Sequence, residues 1–239
     1  MPNLKAGEIF MPIDALLFDK DGTLFDFAAT WEAFARAFLL RVTGDDLTRA
    51  TEVGHAIGFD MATNSYSPDS IVIAGTPGEV AEVLADFFPD MSHGELVDMI
   101  NDEAARAPQA EAVPLAAFLD DMRSKGLKLG VATNDAEHPA RTHLTSAGVQ
   151  EKFDFIAGFD SGHGAKPGPG QLLAFAAHVG LEPGQVAMVG DSTHDLLAGR
   201  AAGMTTIGVL TGMATADDLS PHADVVLPNI GHIAEWLAR

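Results

Sequence analysis

From residue 113 onward, short apolar runs alternate with stretches whose apolar residues recur every three to four positions. The helical patterns PLAAFLDDMRSKG, PARTHLTSAGV, GQLLAFAAHVG and HDLLAGRAAGM are each followed by a strand-like run: LKLGVATND, FDFIAGFD, QVAMVGD and TTIGVLTG. ADVVLP and IGHIAEWLAR close the series. Such alternation predicts βαβ units and therefore a parallel sheet covered by helices on both faces. The apolar residues 13–18 add a first strand. Residues 25–112 read differently, as helices in succession: WEAFARAFLLRV, DLTRATEVGHAI, PGEVAEVLADFF and GELVDMINDEAARA. Two of these open on capping boxes, Thr76 with Glu79 and Ser92 with Glu95. The expected fold is thus an α/β, Rossmann-like parallel-sheet core of residues 1–24 and 113–239. An all-helical domain, residues 25–112, is inserted after the first strand. Its least regular part is the loop 58–77. Because the insertion joins the core by two crossings of the chain, hinges are expected near residues 24–28 and 112–115. The first ten residues are expected to be a dispensable tail.

Composition narrows the classes. With 239 residues and 47% hydrophobic side chains, the chain has enough apolar material for one sizeable core and a second, smaller unit. No apolar run reaches the roughly 18 to 20 residues needed to span a bilayer, and the N-terminus lacks the basic start and apolar block of a signal peptide. A soluble, cytoplasmic protein is expected, either monomer or homodimer. The absence of cysteine removes disulfides, thiol catalysis and Cys-ligated zinc. A formal net charge of −20 repels nucleic acids and anionic membranes, so neither is expected as a partner. The nine histidines show no metal-ligand spacing, although His163 and His194 lie beside the motifs described next.

In parallel α/β sheets, ligands bind beyond the carboxyl ends of the strands. The residues at those ends are Asp19 and Asp21 after the first strand, Thr133 and Asn134 after the second, Lys166 after the third, and Asp191 and Asp195 after the fourth. On an extended chain Asp19 and Asp21 share a side, about 6 to 7 Å apart, with Lys20 facing away. Two like charges so placed need a cation or a proton to relieve them. Clustered acids with a hydroxyl and an ammonium suit a divalent, oxygen-seeking cation and a phosphate.

The sequence resembles the haloacid dehalogenase superfamily, specifically its phosphatases with a helical cap inserted after the first strand, such as phosphoglycolate phosphatases. The four motifs match in order as DKDGT, the Thr133 of VATND, the Lys166 of AKPGPG and GDSTHD at residues 190–195. The resemblance implies Mg²⁺-dependent hydrolysis of a small phosphorylated metabolite through an aspartyl-phosphate. It implies Asp19 as nucleophile and Asp21 as acid and then base. Mg²⁺ would be held by Asp19, the backbone carbonyl of Asp21 and Asp191, with Asp195 orienting the shell. Thr133, Asn134 and Lys166 would meet the phosphoryl group. Lys20 departs from the usual Asp-Leu-Asp or Asp-Met-Asp form; pointing away from the site, it is expected to affect packing more than chemistry.

The alternatives are a β-phosphoglucomutase-like sugar phosphomutase, a 2-haloacid dehalogenase and, from another class, a non-catalytic phospho-acceptor protein. Asp21 argues against the dehalogenase, and the completeness of the motifs argues against a silent protein. Phosphonoacetaldehyde hydrolysis requires a cap lysine, and residues 25–112 contain none. That segment carries sixteen acids against four arginines, Arg36, Arg41, Arg49 and Arg106. Neutral or singly charged leaving groups are therefore expected to be preferred over bisphosphates. Arg36 and Arg49 are the candidates to turn inward and meet one carboxylate.

Overall fold

The computed structural model describes residues 12–238; the expected N-terminal tail lies outside them. Among the described residues eight strands occur in chain order: β1 Ala15–Phe18, β2 Phe59–Asp60, β3 Ser65–Tyr66, β4 Lys128–Ala132, β5 Phe155–Ala157, β6 Val186–Gly190, β7 Thr205–Val209 and β8 Val225–Leu227. Six of them form one sheet in the order β5-β4-β1-β6-β7-β8, parallel throughout. β1 is central and starts two residues later than the apolar run suggests, pairing Leu17 with Gly130 on one side and with Met188 on the other. Its four residues are completely buried. Leu16 and Phe18 pack into the core on one face, with Leu119, Val131 and Leu144. Ala15 and Leu17 pack on the other, with Leu172, Phe175 and Met188. Helices on both sides explain why the strand is apolar at every position rather than at alternate ones.

The helical patterns 113–202 appear as helices Leu115–Ser124, Glu137–Ser146, Gly170–Val179 and Thr193–Ala202. Between β1 and β4, helices Ala33–Val42, Leu47–Ala56, Pro77–Leu84 and His93–Ala104 pack around their own apolar cluster, which includes Phe27, Leu39, Val53, Phe59 and Leu96. Both expected capping boxes form: Thr76 with Glu79 and Ser92 with Glu95. The two crossings lie side by side, with Asp26 N–H donating to Ala110 O at 2.8 Å and Ala112 N–H to Leu24 O at 3.0 Å.

One feature departs from an all-helical insertion. β2 and β3 form a short antiparallel hairpin inside the irregular stretch 58–77. Local turn chemistry produces it: the Asp60 carboxylate accepts the Ala62 N–H at 2.7 Å, and Asn64 takes a left-handed φ of 57°. Among the described residues no helix is long and apolar enough to cross a membrane.

Candidate active site

The carboxyl ends of β1, β4 and β6, together with the loop before helix Gly170–Val179, bring Asp19, Asp21, Thr133, Asn134, Lys166, Asp191 and Asp195 to the lining of one cleft. Lys166 is the electrostatic centre. Its Nζ donates to Asp19 Oδ1 at 2.6 Å, to Asp195 Oδ1 at 2.6 Å and to the Ala132 carbonyl at 2.8 Å. Asp191 completes the group, since oxygens of Asp19, Asp191 and Asp195 all lie within 4.8 Å of one another. All four side chains belong to residues no more than 7% exposed. Two glycines make room for this crowding. A Cβ on Gly22, whose φ is +77°, would lie 2.3 Å from Asp191 Oδ2, and one on Gly212 would lie 1.6 Å from it.

Three carboxylates share one ammonium here, and the balance shows in the acidities of Asp19, Asp191 and Lys166. Burial pushes the Asp19 carboxyl up to about 7; Lys166 opposes that shift, while Asp195 and Asp21 add to it. Burial, with the charges of Asp195 and Asp19, pushes Asp191 well above the carboxylate range. Burial disfavours the charged form of Lys166, but Asp19 and Asp195 outweigh it and hold the ammonium above its ordinary range. An all-oxygen donor set with excess negative charge fits a hard divalent cation.

Asp195 has two jobs, one per oxygen. Oδ1 meets Lys166, whereas Oδ2 accepts from Ser192 N at 3.0 Å and Ser192 Oγ at 2.7 Å, closing the capping box of helix Thr193–Ala202. The cap therefore fixes the carboxylate that orients Lys166. Thr133 is buried at the end of β4, its hydroxyl accepting the Asp135 N–H at 3.1 Å. Asn134 lines the cleft, but its amide is committed to the protein. Nδ2 donates to the Ala74 and Lys166 carbonyls at 2.9 Å each, and Oδ1 accepts the Lys166 N–H at 2.8 Å. It positions Lys166 instead of offering free groups to a substrate.

Lys20 does not point away from the site. Its Nζ donates to Asp21 Oδ1 at 2.7 Å, lies 3.0 Å from His143 Nδ1 and 3.4 Å from Asp135 Oδ2, and sits 5.7 Å from the centroid of the Trp31 ring. The expectation rested on strand alternation, which ends at Phe18. Beyond it the chain turns, with Leu24 and Phe25 N–H groups both donating to Lys20 O, so period two no longer applies. Trp31 Nε1 donates to Asp21 Oδ1 at 2.9 Å. Burial tends to raise Asp21, but Lys20, His143 and these hydrogen bonds hold it below the usual carboxylate range. Burial pushes Asp135 up to about 6, against Lys20. Asp135, Trp31 and His143 carry no sequence signal of their own.

The rest of the cleft is walled by the inserted segment, including Phe27, Phe38, Ile57, Tyr66, Val80 and Ile100. The expected inward arginines are absent from it. Arg36 donates to Met61 O at 2.8 Å, and Arg49 donates to Phe87 O at 2.8 Å while its guanidinium covers the Phe88 ring. Both satisfy backbone carbonyls within the segment. Of the two flanking histidines, His194 lines the cleft, whereas His163 packs near Phe155, 6.2 Å between rings.

A family model described as haloacid dehalogenase-like hydrolase matches residues 13–203, which hold β1 and every residue of the acid–lysine cluster. The chain belongs to the haloacid dehalogenase-like hydrolases. Within this family it is similar to phosphoglycolate phosphatase of Rhodospirillum rubrum, 29% identical over 234 residues that cover 93% of this chain and 90% of that protein. Among solved structures it is similar to a predicted phosphoglycolate phosphatase from Haemophilus somnus, with a TM-score of 0.72 at 18% identity, covering 94% of this chain and 97% of that one. A β-phosphoglucomutase from Clostridium difficile gives 0.64 at 21% identity, covering 95% and 97%. At these identities the two structures show the shared fold of haloacid dehalogenase-like hydrolases.

Proposed function

We propose that the chain is a Mg²⁺-dependent phosphomonoesterase working through an aspartyl-phosphate, of the kind represented by the phosphoglycolate phosphatases it resembles. The observation that carries this reading is Lys166 bridging Asp19 and Asp195 at 2.6 Å each, with Asp191 in the same buried cluster. Residues 12–24 and 113–238 serve as the core, and residues 25–112 as a cap over it.

In this reading an Asp19 carboxylate oxygen attacks phosphorus and the bond from phosphorus to the ester oxygen breaks. The leaving oxygen takes a proton from Asp21. Water then attacks the phosphorus of the acyl phosphate, giving its proton to Asp21, and the Asp19 oxygen is released with inorganic phosphate. Such proton transfers contribute about 10²- to 10⁴-fold. The Lys20 contact favours the ionised, base form of Asp21; a phosphoryl dianion arriving beside it pulls the other way. Lys166 tempers the charge on Asp19 and, with the Thr133 hydroxyl, faces the phosphoryl oxygens. Asp19, the Asp21 carbonyl and Asp191 would hold Mg²⁺, with Asp195 behind them, and the ion would supply charge neutralisation at the phosphoryl oxygens.

A sugar phosphomutase must hold a second phosphate, and the cap wall supplies no arginine or lysine to the cleft among the described residues. The phosphatase reading is tested by Asp19→Asn, which keeps the volume but loses the anionic nucleophile. Phosphate release from a panel of monoesters should fall by on the order of 10³-fold or more in a folded protein. Retained turnover in a pure sample would overturn the assignment.

A further inference from the structure

The two halves of the cleft differ in chemistry. The one lysine or arginine side chain lining it among the described residues, Lys166, and the imidazole of His194 both come from the core side, where the ester's phosphoryl group would sit. The opposite wall, built from residues 25–112, presents aromatic rings and branched aliphatic side chains, among them Phe27, Tyr66, Val80 and Ile100. The one charged side chain this wall contributes is acidic: Glu103 faces the cleft and is neutralised from outside it by Arg41 and Arg106. With Arg36 and Arg49 bound to backbone carbonyls, all four arginines of the segment are engaged elsewhere, and it has no lysine. Asp21 and Asp135 add carboxylates at the junction of the two halves.

We infer that the leaving group accepted by this cleft is a neutral, predominantly apolar alcohol, and that phosphoglycolate is a poor substrate. The inference rests on the phosphomonoesterase reading and names the substrate class within it. A glycolate carboxylate placed against this wall would lose its water without meeting a lysine or arginine side chain, and it would lie near the carboxylates of Asp21 and Asp135. A ring or branched alkyl group placed there meets ring edges and methyl groups, the contacts apolar pockets are built to make.

Benzyl phosphate and phosphoglycolate decide the matter, because both release a primary alcohol and differ in what that alcohol carries. Measured as phosphate release with Mg²⁺ at one pH and ionic strength, benzyl phosphate should exceed phosphoglycolate in kcat/KM by at least tenfold, about 1.4 kcal/mol. Phosphoglycolate equal to or better than benzyl phosphate would overturn the inference while leaving the phosphomonoesterase reading intact. No phosphate from any ester in a broad panel would overturn both. A cation supplied to the wall should reverse the preference: in Ile100→Lys and Ile73→Arg, both at half-buried cleft positions, the ratio should move toward phosphoglycolate by about tenfold. An unmoved ratio in a folded variant would show that this wall does not meet the leaving group.

Discussion

The Lys20 ammonium donates a 2.7 Å hydrogen bond to Oδ1 of its sequence neighbour Asp21, and Lys20 is completely buried. A lysine between the two acids of DKDGT thus reaches back to one of them, while Lys166 serves the other. Each acid of DKDGT has its own ammonium.

Removing one partner of such a pair strands the other in a desolvated site. Lys20→Met is expected to destabilise the protein by about 3–5 kcal/mol, read from urea unfolding. The double variant Lys20→Met/Asp21→Asn should lose less than the sum of the singles by at least about 1 kcal/mol, because Asp21, the nearer of the two acids that Lys20 meets, no longer carries an orphaned charge. Additive losses would show that the contact carries no coupling.

The sheet was legible because its strands are apolar runs bounded by acids and glycines, and the residues at strand ends fell where parallel topology puts them. The insertion was legible as helices because their apolar period and capping boxes are local signals. The hairpin at 59–66 was not, since it depends on Asp60 and Asn64 forming a turn inside a stretch with little periodicity. Lys20 was misread because a turn replaced the strand at that residue. Arg36 and Arg49 turn to the Met61 and Phe87 carbonyls, 25 and 38 residues away in sequence, and no local pattern encodes such contacts.

Asp191 belongs to a cluster whose negative charge exceeds its positive charge, so charge removal and metal removal should act in opposite directions. In EDTA near pH 7.5, Asp191→Asn should melt at a higher temperature than wild type, because folding must hold a proton on this raised carboxyl that the unfolded chain releases, and the amide carries no such cost. On adding Mg²⁺, the wild type should gain about 2.7 kcal/mol at a concentration 100 times Kd, and the variant should gain little. Equal Mg²⁺-induced shifts in thermal scans of the two proteins would remove Asp191 from the metal site.

His143 is held neutral. Its Nε2–H donates to the Ala104 carbonyl at 2.8 Å, which leaves Nδ1 to accept from Lys20 at 3.0 Å. Burial, and then the Lys20 charge, push its pKa from 6.5 down to about 4. Between those values the unfolded chain binds a proton that the folded protein does not, so this stability is complete above pH 6.5 and is lost as the pH falls toward 4. Asp135, raised to about 6, works in the opposite sense over an overlapping range, so the comparison must be between variants. The melting deficit of His143→Gln relative to wild type should be largest near pH 7.5 and shrink toward pH 4.5. A deficit independent of pH would contradict the neutral assignment.

Asn134 joins three things: the core strand end that carries it, the backbone of Lys166, and the Ala74 carbonyl of the inserted segment. The two crossings near residues 24–26 and 110–112 are themselves hydrogen-bonded to each other, which leaves a contact such as Asn134 to Ala74 as a latch on the far side of the cleft. Deleting the amide frees two carbonyls and one N–H that the fold had paired, each worth about 1–3 kcal/mol when left buried and unsatisfied. Asn134→Ala should therefore release both the latch and Lys166. Hydrogen exchange should quicken at residues 71–76, next to the lost contact, while β1 and β6 in the sheet interior stay protected. If the segment closes over the core to exclude water during phosphoryl transfer, kcat should fall more than KM rises, since Lys166 is misplaced and closure is incomplete in the transition state. Faster exchange with unchanged kcat would show the latch to be structural alone. Unchanged exchange would show that other contacts hold the segment in place.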